Sequence, residues 1–392
     1  MERTESSAKT SSATTKSYLR HRVVQSLECQ ESISLWRMPD GQDVHLLCTA
    51  RPQVLQELTL EESAPGFIIA PFRKDQPKYW LPADELYTFS ASGVSRNGKD
   101  IEPKPVCSNY LTPRFHFIHP AGKREVGTYG AFKELVQASI EAVAQGSFEK
   151  VVPSRYKEIA LDPAADLLAF FDRLCSSYPT AFVSLHSTPH TGTWIGATPE
   201  LLVSIDENQV FRTVALAGTQ KHQPGIDLRQ VSWTQKDIEE QALVSRYIIN
   251  CFKKIRLREF DEHGPKTVQA GNLIHLKTEF QADMVATNFP QLGSVMLKLL
   301  HPTSAVCGMP LEQAENFLLA HEGYDRQLYA GYLGPVSIQQ QSRVFVNLRC
   351  MQVLGATARV YAGAGVTIDS IPDKECEETE MKMNTLLQAL QL

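Results

Sequence analysis

Two stretches of the chain set acidic side chains at helical spacing. Asp237 and Glu240 lie three residues apart in TQKDIEEQALVSRYIINCFKKI (234–255), and Glu375 and Glu378 repeat the arrangement in KECEETEMKMNTLLQAL (374–390), so each pair can approach one point. Four carboxylates from two helices can build an oxygen-rich site for a hard cation such as magnesium. The same residues also suit a plainer purpose. Thr234-x-x-Asp237 has the form of a capping box, and acidic residues in a first turn favour the helix dipole. Metal binding therefore needs a reason for the two helices to meet. A second group combines cations with small residues: Lys150 in FEKVVPSR, Ala217-Gly218-Thr219 in VALAGT, Arg349 in NLRC, Gly363 and Gly365 in YAGAG, and Lys382. A strand-borne cation among apolar neighbours is costly to bury unless an anion meets it, and small residues let backbone amides approach a carboxylate. Taken singly, each also suits a surface or snorkelling position. His275 in NLIHLKT and His301 in LLHPTSAVCGMP fit core histidines as well as ligands. H-E-x-x-H, G-x-S-x-G, the P-loop and G-x-G-x-x-G patterns are absent, which removes the usual marks of zinc proteases, α/β-hydrolases, P-loop enzymes and Rossmann folds.

The elements that must position these residues are a mixture. Strand character marks 45–50, 67–72, 181–187, 201–206, 210–216, 344–353 and 356–365. Helical periodicity marks 133–146, 166–178, 234–255, 293–300, 311–323 and 374–390, the last starting near Ser370-Ile371-Pro372-Asp373. In 234–255 the expected apolar face is Ile238, Ala242, Ile248, Ile249, Phe252 and Ile255. The spread of strands and helices indicates an α+β protein with large sheets.

At 392 residues, 43% apolar and 21% charged, the composition is that of a globular chain. No Gly/Ser/Pro-rich linker divides it, so one domain over 18–392 is expected after a Ser/Thr-rich flexible tail at 1–17. The formal charge of -5 excludes an electrostatic footprint for nucleic acid or an anionic membrane. No apolar run is long enough for a membrane span. The eight cysteines are scattered without C-x-x-C, as expected for reduced thiols in a cytoplasmic protein.

Nine segments in order resemble the chorismate-utilising enzyme family: FEKVVPSR (148–155), WIGATPELLV (194–203), ALAGT (215–219), KDIEEQALV (236–244), LIHLKTEF (273–280), LLHPTSAVCGMP (299–310), EGYDRQLYAGYLG (322–334), NLRC (347–350) and YAGAGVTIDSIPDKECEETEMK (361–382). The motif-rich part runs from about 124 to 392. The resemblance implies large antiparallel sheets, layered and flanked by helices, as in anthranilate synthase component I. Three positions select the branch. Lys150 matches the lysine that activates water in isochorismate and salicylate synthases, where ammonia-using relatives carry glutamine. Ala217 stands where aminodeoxychorismate synthases have a nucleophilic lysine. The LHPTxAVxGxP form around Val306–Leu311 resembles isochorismate synthases, whereas anthranilate and salicylate types read S-G-x-P-K.

The expectation is an isomerase that converts chorismate to isochorismate. The resemblance implies that Lys150 takes a proton from water attacking C2 and that Glu200 protonates the departing C4 hydroxyl. It implies magnesium on Glu240 and Glu378, with Asp237 and Glu375 supporting through water. Arg349, Tyr329 and the Gly363–Gly365 backbone would hold the enolpyruvyl carboxylate, with Lys382 near the metal-bound end. Ala217, Gly218 and Thr219 would lie against the ring carboxylate, and His275 close to the reacting carbons, either orienting substrate or shaping the pocket. Salicylate synthase and a catalytically silent chorismate-binding protein are the alternatives. Menaquinone supply is the preferred pathway and siderophore supply the other; no nucleic-acid, membrane or obligate protein partner is expected.

Overall fold

The structure is a computed structural model and describes residues 2–103, 112–119, 128–162, 165–222, 225–270 and 273–390; the bounds expected at 1, 124 and 392, and Cys107, lie outside these. Seven helices are present among the described residues: α1 (Glu2–Glu28), α2 (Tyr129–Ala144), α3 (Leu167–Ser177), α4 (Gln235–Lys254), α5 (Leu292–Leu300), α6 (Leu311–His321) and α7 (Pro372–Leu390). Helix α1 occupies the segment whose Ser/Thr-rich composition suggested a tail. Asp166 and Thr234 cap α3 and α4 as their types predict.

Two antiparallel sheets carry the fold. The ten-stranded sheet runs from edge to edge through Ser154–Ala160, Thr357–Gly363, Cys350–Val353, Gly192–Thr198, Phe182–Thr188, Ser32–Arg37, Val44–Thr49, Glu85–Ser90, Gly93–Arg96 and Lys99–Ile101. The nine-stranded sheet runs through Asp261–Ala270, Leu273–Asp283, Val210–Lys221, Leu201–Ile205, Ser342–Val346, Tyr332–Val336, Gly66–Ala70, Lys78–Pro82 and Gln53–Leu55. Side-chain alternation divides the ten-stranded sheet between two cores. Ile33, Leu35, Val183, Leu185 and Ile195 pack with Val23, Leu174 and Met383 of α1, α3 and α7. Their alternates Trp36, Phe182 and Trp194 join the core that includes the nine-stranded sheet; Phe182 stacks on Phe345 at 4.2 Å and Trp36 meets Phe67 at 5.1 Å. No helix among the described residues is long and apolar enough to cross a membrane.

Two expectations need correction. The apolar run 344–353 is two strands, not one: Ser342–Val346 ends in the nine-stranded sheet and Cys350–Val353 begins in the other. The turn between them bends at Arg349, which has a left-handed φ of 46°. Asn347 holds the turn by donating from Nδ2 to the Leu328 carbonyl at 2.9 Å. On α4, Ile238 is 49% exposed, while Gln241 is buried and bonds Ala215 O and Thr278 Oγ1. The buried stripe is Gln241, Val244, Tyr247, Ile248, Cys251 and Phe252, because the first turn faces the charged cluster described below.

A second crossing lies beside the first. Gly192–Thr198 passes through Pro199–Glu200 into Leu201–Ile205, again from one sheet to the other. The crossings are bonded together: Ala197 N donates to Arg349 O at 3.0 Å, Val346 N to Glu200 O at 3.0 Å, and Thr198 Oγ1 to Val346 O at 2.6 Å. Gly196 permits this approach, since a β-carbon there would lie 2.7 Å from Arg349 O.

The segment carrying Lys150 is fixed separately. Lys150–Val151 pairs with Gly308–Met309 and bridges Val366. A β-carbon on Gly308 would stand 2.3 Å from the Lys150 carbonyl. The buried Arg326 donates to Val152 O at 2.7 Å and Val306 O at 2.8 Å, and its Nε donates to Glu322 at 2.7 Å. Glu322 in turn accepts from Ser154 N at 2.7 Å. Breaking a buried pair leaves an uncompensated charge. Glu322→Gln should therefore destabilise the protein by about 3 kcal/mol, read as a lower urea midpoint; an unchanged midpoint would show that the pair does not hold this segment.

Candidate active site

Glu200 and Arg349 project from the two crossings. Glu200 is 5% exposed, and its carboxylate accepts from Thr303 Oγ1 at 3.4 Å. Burial raises its carboxyl to about 7, with Arg349, Thr303, Lys150 and Lys382 pulling the other way. Such an acid still holds its proton near neutrality and can donate it. The Arg349 guanidinium makes no hydrogen bond or ion pair among the described residues; burial lowers its pKa, while Tyr329, Glu378 and Glu200 oppose that. A half-buried cation without a bonded partner is suited to an incoming carboxylate. Tyr329 lies behind it, stacked on Tyr361 at 5.3 Å.

His275 stands on the Leu273–Asp283 strand and shares a narrow cleft with Arg349, Ala197, Pro199 and Thr385. Its partner strand bulges between Ala217 and Gln220, and Gly218 there has a left-handed φ of 67°, which suits glycine. The Gly218 carbonyl receives His275 Nδ1–H at 2.8 Å, with Thr219 Oγ1 3.4 Å from the same nitrogen. A carbonyl only accepts, so Nδ1 carries the proton and Nε2 presents a bare lone pair. Nε2 is buried without a partner among the described residues. Burial, aided by Arg349, lowers the imidazole pKa to about 3. His275 is thus a neutral acceptor suited to a hydroxyl group, with Ala217 buried beside it.

Three of the four expected metal ligands gather with three lysines. Lys150, 1% exposed, pairs with Glu240 at 2.7 Å. Lys382 pairs with Glu378 at 2.5 Å and donates to Gly363 O at 3.0 Å. Lys236 pairs with the buried Glu375 at 2.5 Å and also feels Glu378 and Glu240. Burial would raise the Glu240 carboxyl, but Lys150, Lys382 and Lys236 more than offset it and hold it below the usual range. Gly365 makes room, since a β-carbon there would lie 2.7 Å from Glu240 Oε1 and 3.0 Å from Lys150 Cε. A β-carbon on Gly363 would lie 3.2 Å from the Tyr329 hydroxyl.

Asp237 stands apart from this pairing. Its Oδ2 accepts from Thr234 N at 3.2 Å and Oγ1 at 2.6 Å, completing the capping box; the plainer of the two sequence readings describes its bonds. As placed, no three metal-ligating side chains converge closely among the described residues. The donor set nevertheless fits a hard divalent cation: it is all carboxylate oxygen, and the Lys236 ammonium already stands among Glu375, Glu378 and Glu240.

Lys236, Glu322 and Arg326 were not singled out from sequence. Lys236 had a usable signal, since a lysine in the first turn of a helix opposes the macrodipole and calls for an acidic partner.

The chain belongs to the chorismate binding enzymes, whose family model matches residues 112–391. It is 28% identical over 266 residues to isochorismate synthase EntC of Escherichia coli K12, spanning 67% of each chain. The fold resembles that of a putative 2,3-dihydroxybenzoate-specific isochorismate synthase, DhbC, from Bacillus anthracis, with a TM-score of 0.73, 22% identity and coverage of 95% of this chain and 100% of that one. It also resembles the menaquinone-specific isochorismate synthase MenF from Escherichia coli, with a TM-score of 0.72, 21% identity and coverage of 92% and 88%.

The state of Glu200 has a consequence for stability. The folded chain keeps this proton up to about 7, against an ordinary value of 4.5, so it binds more protons than the unfolded chain between those values. Stability from this group therefore falls as pH rises through that window. Glu200→Gln cannot ionise, so relative to wild type it should gain about 1–3 kcal/mol at pH 8 over pH 4. Parallel pH–stability curves would contradict the raised carboxyl.

Proposed function

We propose that this protein is an isochorismate synthase, a magnesium-dependent isomerase that moves a hydroxyl from C4 to C2 of chorismate. The carrying observation is the buried Glu200 carboxyl, raised to about 7, within electrostatic reach of a buried lysine and beside a guanidinium without a bonded partner. The similarity to isochorismate synthases supports the same reaction.

Lys150 takes a proton from water as the water oxygen bonds to C2; to do so, Nζ must release Glu240 and lose its own proton. The two ring double bonds each shift by one position, the C4–O bond breaks, and Glu200 protonates the departing hydroxyl. One water enters and one leaves. Arg349 and Tyr329 hold the enolpyruvyl carboxylate with the Gly363–Gly365 backbone. Ala217, Gly218 and Thr219 line the ring carboxylate, and Lys382 adds positive charge at that end. His275 accepts a substrate hydroxyl at Nε2 and orients the ring. Glu240 and Glu378 would hold magnesium, with Asp237 and Glu375 supporting through water, and a cation held there would supply the charge that neutralises the ring carboxylate. Isochorismate of this origin feeds menaquinone or catechol siderophore synthesis, with menaquinone preferred. A cytoplasmic location suits this role.

With chorismate and magnesium, chromatography should show isochorismate as the main product. Salicylate with pyruvate would replace this reading by salicylate synthase. Lys150→Ala and Glu200→Gln should each lower kcat by roughly 100-fold or more; wild-type turnover no faster than theirs would leave a binding protein.

A further inference from the structure

We infer that Lys236 is a built-in counter-cation, which occupies the carboxylate cluster between α4 and α7 and is displaced into solvent when a divalent cation binds. This rests on the proposed magnesium reading of the same cluster.

The charges match one to one: Lys150 with Glu240, Lys236 with Glu375 and Lys382 with Glu378. Glu375 is 1% exposed, and a carboxylate so placed is costly without a cation. The cluster is therefore neutralised before any metal arrives. A divalent ion then repels the resident ammonium groups at close range, and one must leave.

Exposure decides which one can. The Lys150 side chain is 1% exposed and that of Lys382 14%, with an added bond to Gly363 O. The Lys236 side chain is 34% exposed, and its pair with Glu375 is its only hydrogen bond among the described residues. It can swing outward without burying its charge elsewhere. Its place in the first turn of α4 opposes the helix dipole, so a swing into solvent carries the ammonium away from the positive end of the helix.

Metal binding is then an exchange of cations, and Lys236 sets how much metal is needed. The test is calorimetric titration of magnesium into the substrate-free full chain, beside thermal melts with and without the ion. Lys236→Met should bind magnesium roughly 5- to 10-fold more tightly than wild type. It should also melt lower without metal and gain more from metal, because Glu375 then lacks its cation. Lys236→Arg keeps the charge and should bind no tighter than wild type. Equal or weaker binding by Lys236→Met, while wild type binds, would overturn the role of Lys236 and leave the magnesium reading standing. Tightening by Lys236→Arg as large as that by Lys236→Met would overturn it too. If neither wild type nor Lys236→Met bound magnesium, the metal reading would fall and the inference with it.

Discussion

The arrangement depends on a ribbon of two antiparallel segments, 192–205 and 342–353, that leaves one sheet and enters the other. Sheets packed face to face bury both inner faces, and polar groups there need bonded partners. A crossing is where backbone can turn between the layers while the neighbouring crossing satisfies its amides. The bonds from Ala197 to Arg349, from Val346 to Glu200 and from Thr198 to Val346 do this. They also leave one acid and one cation at the seam, where the side chains are enclosed but the backbone is not part of a continuous ladder. The Glu200 carboxyl is raised because of where the crossing lies rather than because of an anionic neighbour.

Around that seam, buried charge is handled in two ways. Glu322 and Arg326 form a closed pair whose remaining donors are taken by the Val152 and Val306 carbonyls, so it works as a fastening for the Lys150 segment. The three lysine–glutamate pairs around α4 and α7 are differently placed, and two of them reach half-buried rims. The first kind gives rigidity. The second kind leaves part of its charge open to solvent.

Much of this was legible in the residues. Both acidic pairs lie in the helices that periodicity drew, and the Thr234 capping box marked the start of α4. The segments that resembled the family supply the gathered side chains. The break within 344–353 was not legible, because Asn347-Leu348-Arg349 has no glycine or proline and its apolar neighbours continue on both sides; tertiary bonding bends it. The α4 stripe was misplaced for a related reason. Hydrophobicity ranked Ile238 above Gln241, but the first turn faces charge and Gln241 finds partners in the strands beneath. The role of His275 needed the Gly218 carbonyl, which only a bulge could turn toward its ring.

The paired crossings also act as a caliper. Glu200 and Arg349 belong to one hydrogen-bonded ribbon, so if the two sheets slide or breathe against each other, both residues travel together and their separation is kept. Motion of the layers changes instead the distance from this ribbon to Lys150, which is fastened to the Glu322–Arg326 pair. The gap between Glu200 and Arg349 is thus a fixed gauge, and the gap to Lys150 is the adjustable jaw.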